Sequence, residues 1–213
     1  DMPFKNGNNS IAVSTENFSE EKTIKVNRIE VFDFKNFKRF AINLGAHFNF
    51  YDKTQNITFV PDQAYKKGWF GYKNGSAFGM TKDKNQGLPH NIKNTDAEPL
   101  FQTLLEGCTE YQLDVPEGNY KVKLYFVEPQ IKPTENIYNL SEVTSRNTKT
   151  QRIFDVYIND TLIEKQLNLA QAYPEKYGVT LQATIQTKKG LTLKLNAIEG
   201  LPVISGILIE KID

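Results

Sequence analysis

Five aromatic residues crowd the stretch "PDQAYKKGWFGYKNGSAFG": Tyr65, Trp69, Phe70, Tyr72 and Phe78, set among four glycines and four charged residues. They follow neither a helical nor a strand period, so some must fold under as local core or remain outside to touch a flat partner. The chemistry they offer is stacking. A sugar ring presents patches of axial C–H groups to an aromatic face, and large rigid rings bury much area at little entropic cost. Trp69 is the only tryptophan and stands beside Gly68 in a loop-like context. Against stacking stands the ordinary use of Trp69 and Phe70 as a cover for the end of a core.

Other chemistry is poorly supplied. Asp62, Glu106, Glu128, Asp155 and Glu199 are the carboxylates nearest to apolar segments. Glycoside hydrolysis needs two such groups across a cleft, one of them with a raised pKa. The sequence cannot pair them, and Asp155, between Phe154 and Val156, is expected to point out of a sheet or cap a neighbouring backbone. Cys108 is the only cysteine, read as a small buried side chain, and His47 and His90 are the only histidines. No HExxH, EF-hand, GxSxG or phosphate-cradling glycine motif is present. No catalytic residue, cofactor or metal site is therefore assigned, and a structural calcium would have no nominated ligands.

Twenty-six basic against twenty-five acidic residues give a net charge of +1 over 213 residues. Nothing in that balance suggests a nucleic-acid partner, which needs clustered positive charge. No apolar run is long enough for a membrane span.

The elements expected to position these residues are strands. "NYKVKLYFVE" alternates Tyr120, Val122, Leu124 and Phe126 against Lys121 and Lys123, which requires an extended chain with one buried face. "QRIFDVYIND" and "LTLKLNAI" repeat the pattern, and "LPVISGILIEKI" reads as a strand buried on both faces. Hairpin turns are expected at "VPEGNY", "INDTLI" and "TKKGLT". One short helical turn is expected around Asn168 to Ala172, limited by Pro174. Many short strands with few helices predict an all-β fold, a β-sandwich. Residues 129–150 form an unusually long connection, expected to be an interaction loop or flap. Residues 1–38 are read as an N-terminal extension or the end of an upstream Ig-like domain, and 39–213 as the sandwich domain.

The segments "INLGA", "PDQAYKKGWFGY", "EPLFQTLLEG", "VPEGNYKVKLYFVE", "RIFDVYINDTLI" and "KGLTLKLNAIEGLPVISGILIEKI" come in the order found in malectin-like domains, and the chain resembles that family from about Phe40 onward. It looks closest to the C-terminal malectin-like module of bacterial family-two, β-galactosidase-like glycoside hydrolases. The resemblance implies a jelly-roll sandwich that binds carbohydrate without breaking bonds. In the family's animal member, loop aromatics and one aspartate at an end of the sandwich hold a glucose-containing oligosaccharide. Carried over by position, the first ring falls on Phe70, followed by Gly71. The others fall near Glu106, Gln130 and Ile131, none of them aromatic, and the aspartate falls near Glu199 or Gly200.

The expectation is a non-catalytic carbohydrate-binding module of a secreted or periplasmic bacterial glycoside hydrolase. Its partners would be a neutral oligosaccharide or polysaccharide and the catalytic domain of the same polypeptide. Trp69, Phe70 and Tyr72, then Tyr65, are the expected stacking surface, with Glu199 and Asn168 as hydroxyl partners. The alternative is a structural, interdomain module without a sugar site. An end with open rings would mark the first, and a flat apolar patch elsewhere the second.

Overall fold

A computed structural model describes residues 36–78, 88, 90–129 and 152–212 of the chain. Most of the expected extension at 1–38, and nearly all of the 129–150 connection, lie outside these described residues.

Among the described residues, fourteen strands and two short helices follow one another as β1 (Arg39–Asn43), β2 (Phe50–Asp52), β3 (Ile57–Pro61), β4 (Phe70–Tyr72), β5 (Ser76–Ala77), α1 (Glu98–Gln102), β6 (Leu105–Glu106), β7 (Glu110–Leu113) and β8 (Gly118–Phe126). After them come β9 (Ile153–Ile158), β10 (Thr161–Leu167), α2 (Leu169–Ala172), β11 (Val179–Thr187), β12 (Leu191–Glu199), β13 (Val203–Ile204) and β14 (Gly206–Ile212). The fold is the expected all-β sandwich. One sheet runs β11-β8-β14-β1-β3-β2, the other β10-β9-β12-β7-β4, and a short third sheet joins β13-β6-β5.

Alternation places the core. Tyr120, Val122, Leu124 and Phe126 of β8 turn inward, and Leu191, Leu193 and Leu195 of β12 do the same from the facing sheet. Phe154, Val156 and Ile158 of β9 complete that second face. The last strand, β14, lies between β8 and β1 in the middle of its sheet. Ile207, Leu208 and Ile209 are buried on both sides, as continuous apolar sequence requires. At its first residue α1 packs against it, with Leu100 so close to Gly206 that an added Cβ would lie 2.7 Å from Leu100 Cδ1.

Of the three expected hairpins only "INDTLI" is one, with β9 and β10 paired and Asn159 at φ 53°. The turn after β7 carries the chain to β8 in the other sheet, and the turn after β11 leads back to β12 in the first. Turn residues encode a reversal. Which sheet receives the next strand is decided by long-range burial, invisible to a local signal.

Candidate functional site

The aromatic stretch passes between surface and interior: residues 66–69 are exposed, and Phe70 and Gly71 are buried. Lys66, Lys67, Gly68 and Trp69 make a four-residue turn closed by Trp69 N–H donating to Lys66 O at 3.0 Å. Gly68 sits third in it at φ 83°, where a residue with a Cβ would be strained. One carboxylate fixes this turn. Asp114 Oδ2 accepts from Gly68 N–H at 2.6 Å and Tyr65 Oη–H at 2.8 Å, and Oδ1 accepts from Gln112 Nε2 at 3.0 Å. The backbone adds Asp114 N–H to Trp69 O at 2.7 Å. The bond from the Tyr65 hydroxyl to the Asp114 carboxylate pushes the Tyr65 pKa upward, with burial second.

Adjacent rings then part company. Trp69 is 37% exposed, while Phe70 is 6% exposed and meets Phe40 edge-on with centroids 4.9 Å apart. The expectation that both rings lie open to solvent is corrected for Phe70. It opens β4 opposite Leu113, and successive side chains of an extended chain point to opposite faces, so one ring enters the core as its neighbour leaves it. Tyr72 is half-buried. Burial, then the nearby Asp62 and Cys108, raise its pKa. Gly71 between them tolerates no side chain, since a Cβ would come within 2.5 Å of Gln63 O and Tyr65 N.

Glu199 and Asn168 are not part of this turn. Leu191, at the start of β12, pairs with Leu113 beside the turn, whereas Glu199 ends the same strand opposite Ile153. Nine extended residues separate the two ends by about 26 Å. Glu199 is exposed there, next to Gly200 at φ 65°. Asn168 is buried and caps α2, its Oδ1 accepting from Gln171 N–H at 3.1 Å, so that oxygen is committed to the backbone.

The Glu199 end is organised around Arg152, which is 2% exposed. Its Nε donates to Glu128 Oε1 at 3.2 Å and its Nη1 to Leu201 O at 3.0 Å. Nη2 lies 2.8 Å from Glu106 Oε1 as an ion pair, though not aligned for a hydrogen bond. Ile198 and Leu201 flank Glu199 at 54% and 55% exposure. On the segment from α2 to β11, Tyr173 and Tyr177 stack with centroids 5.9 Å apart and ring planes 14° apart, occupying part of each other's faces.

Between the sheets lies a third polar group. Asp62 is half-exposed as a residue, but its Oδ2 is enclosed without a hydrogen-bond partner, as is Tyr111 Oη. Burial lifts the Asp62 carboxyl from 3.8 to about 7, against the opposing hydrogen bond from Gly45. Burial also pushes the Cys108 thiol up to about 12, which suits an inert core side chain and not a nucleophile. Among the described residues no group of three or more His, Cys, Asp or Glu is placed to hold a metal ion. Asp155 caps a backbone as expected, its Oδ1 accepting from Gln166 N–H at 2.7 Å.

Asp114 and Arg152 were not among the expected site residues. Asp114 could have been suspected from its place just before "VPEG", where a strand ends in a turn. Arg152 carries no such signal, because a charged residue before a strand ordinarily reads as solvated.

A family model described as Malectin domain matches residues 38–207. No curated protein sequence matches the chain. Among solved structures, a calcium-binding mutant of Bacteroides uniformis beta-glucuronidase 2 is 23% identical, with TM-score 0.66, over 82% of this chain and 18% of that one. The ANX2 ectodomain from Arabidopsis thaliana is 13% identical, with TM-score 0.55, over 82% of this chain and 42% of that one. The plant receptor-like kinase FER is 15% identical, with TM-score 0.53, over 82% and 49%. At these identities the likeness is one of fold. The chain spans less than a fifth of the length of the bacterial enzyme it matches.

Proposed function

Since the chain belongs to the malectin domain family, we propose that it is a non-catalytic carbohydrate-binding module of a secreted bacterial glycoside hydrolase, and that a sugar ring stacks on Trp69. The observation that carries this reading is the indole held partly exposed on a turn that one carboxylate fixes from three sides. An aromatic face already ordered before binding loses little entropy when a rigid ring settles on it. Tyr65 flanks the indole with its hydroxyl turned to Asp114, and Tyr72 lies deeper on β4. Phe70 contributes as the ring beneath Trp69, their centroids 6.4 Å apart, and not as contact surface. Glu199 and Asn168 play no part at this end.

Calorimetric titration of the chain and of Trp69→Ala against a panel of oligosaccharides tests the reading. Binding by the parent chain that falls at least about tenfold in the variant is the expected result, the loss of one stacking face being worth roughly 1–3 kcal/mol. Equal affinities, or none in either protein, would discard a sugar site on Trp69.

A second reading is favoured by one observation. Ile198 and Leu201 form an exposed apolar pair at the opposite end, where the family resemblance would have placed stacking rings. That is the kind of surface a neighbouring domain covers, and it suits a structural, interdomain module. Ile198→Lys with Leu201→Lys would then disturb packing within the longer polypeptide and leave sugar binding untouched.

A further inference from the structure

The net charge of +1 conceals an uneven distribution. Three chain reversals come together at the end of the sandwich that carries Trp69. The turn Lys66-Lys67-Gly68-Trp69 is joined to the next by Asp114 N–H on Trp69 O. The third, Thr187 to Gly190, is joined to that one by Gly190 N–H donating to Val115 O at 3.2 Å. It is rigid in its own right, Thr187 Oγ1 donating to Gly190 O at 2.5 Å and accepting from Lys189 N–H at 3.2 Å. The two outer reversals carry Lys66 and Lys67, and Lys188 and Lys189, all four exposed. Among the described residues the ion pairs are Lys73 with Glu110 and Arg152 with its two glutamates, so none of these four lysines is taken.

The acids at this end do not cancel them. Asp114 is occupied by Gly68, Tyr65 and Gln112. Glu117, in the reversal between, and Asp160, in the β9–β10 turn beside the start of β12, are two exposed carboxylates against four lysines. At the far end the balance inverts, with Glu106, Glu128 and Glu199 gathered near one arginine.

We infer that the Trp69 end takes an anionic glycan, a polymer whose sugar rings bear carboxylates, and not the neutral sugar expected from the sequence. This rests on the proposed sugar site. A flat ring meets the indole, while ammonium groups on flexible stems meet charges spaced along the polymer without demanding one geometry. Strands within a sheet lie about 4.8 Å apart, so the two lysine-bearing reversals, which lead into β12 and β4 on either side of β7, stand roughly 10 Å apart and a polymer laid over Trp69 can pass both. Exposed charges of this sort act within about 10 Å and are weakened by salt.

The test pairs two polymers with the same backbone, carboxymethyl-cellulose and hydroxyethyl-cellulose, in affinity electrophoresis with the whole chain. The charged polymer is expected to bind about tenfold more tightly at low salt, the preference disappearing near ~0.5 M sodium chloride. A variant with Lys66, Lys67, Lys188 and Lys189 all changed to Gln should bind the two polymers equally. Trp69→Ala should weaken both. Equal binding of both polymers by the parent chain, with loss in Trp69→Ala, would overturn the charge preference and leave the sugar site standing. Binding of neither would overturn both. Polyadenylate serves as a polyanion with a different backbone. If it bound as tightly as carboxymethyl-cellulose, and did so also in Trp69→Ala, the surface would be a polyanion patch and the inference would fail.

Discussion

At the Trp69 end a single carboxylate, Asp114, holds a surface turn from outside the core. At the Arg152 end an enclosed guanidinium holds two carboxylates and a carbonyl. Both arrangements join loops to strands through charge, but they do so in different surroundings. Around Asp114 water is near, and the partners are neutral donors whose loss costs modestly. Around Arg152 the guanidinium is enclosed at 2% exposure while Glu106 keeps 23%, so it is the buried cation that depends most on its partners. The first arrangement holds a ring that is 37% exposed; the second ties Glu106, on which the resemblance places one family ring, into the fold. On the proposed reading, sugar contact and fold integrity fall at opposite ends of one β12.

The sharpest way to break this comparison is to remove the buried cation. Arg152→Met removes the guanidinium that ties Glu106, Glu128 and the Leu201 carbonyl together, and should destabilise the fold by roughly 3–5 kcal/mol. Urea unfolding measures it, and a loss below about 1 kcal/mol would mean the cluster is wetter than its burial implies.

Asp62 lies between the two ends and makes stability depend on pH. Its carboxyl titrates near 3.8 when unfolded and near about 7 when folded. The native state therefore keeps the proton more tightly. Stability is full below about pH 4, declines as pH rises toward 7, and is level above it, with a total change of at most roughly 4 kcal/mol. Asp62→Asn should flatten that decline and be the more stable protein at pH 8. Parallel curves for the two proteins between pH 4 and 8 would show that the carboxyl is not enclosed.

Asp114→Ala sharpens the comparison from the other side. It frees Gly68 N–H, Tyr65 Oη and Gln112 Nε2, which water can reach, so the cost should be only about 1–2 kcal/mol. Sugar affinity should nevertheless fall as far as it does in Trp69→Ala, because the ring is no longer held. Trp69→Ala itself should move stability least, by about 0.5–1 kcal/mol, while removing the stacking face. A larger unfolding effect would identify the indole as core.

Sequence patterning revealed the strands and not their partners. Period-two alternation located β8, β9 and β12, and the apolar run of β14 was legible because both of its faces are covered. The helical turn at α2 was legible ahead of Pro174, and so was the buried Cys108, but Asn168, expected as a hydroxyl partner, caps that turn instead. Trp69 and Phe70 were not separable, because adjacent aromatics give the same hydropathy whichever of them faces inward. Glu199 was grouped with the rings by family position, yet β12 carries it to the other end. Arg152 escaped notice because its burial is a property of three distant segments meeting, and no local pattern records such a meeting.

The central place of β14 bears on how the molecule is made. A ribosome has delivered β8 and β1 long before it delivers the strand that joins them, so the nascent sheet waits with two raw edges. Chaperones have that interval in which to act, and trimming a few residues from Gly206–Ile212 would unzip the sheet from its middle and not fray it from a side.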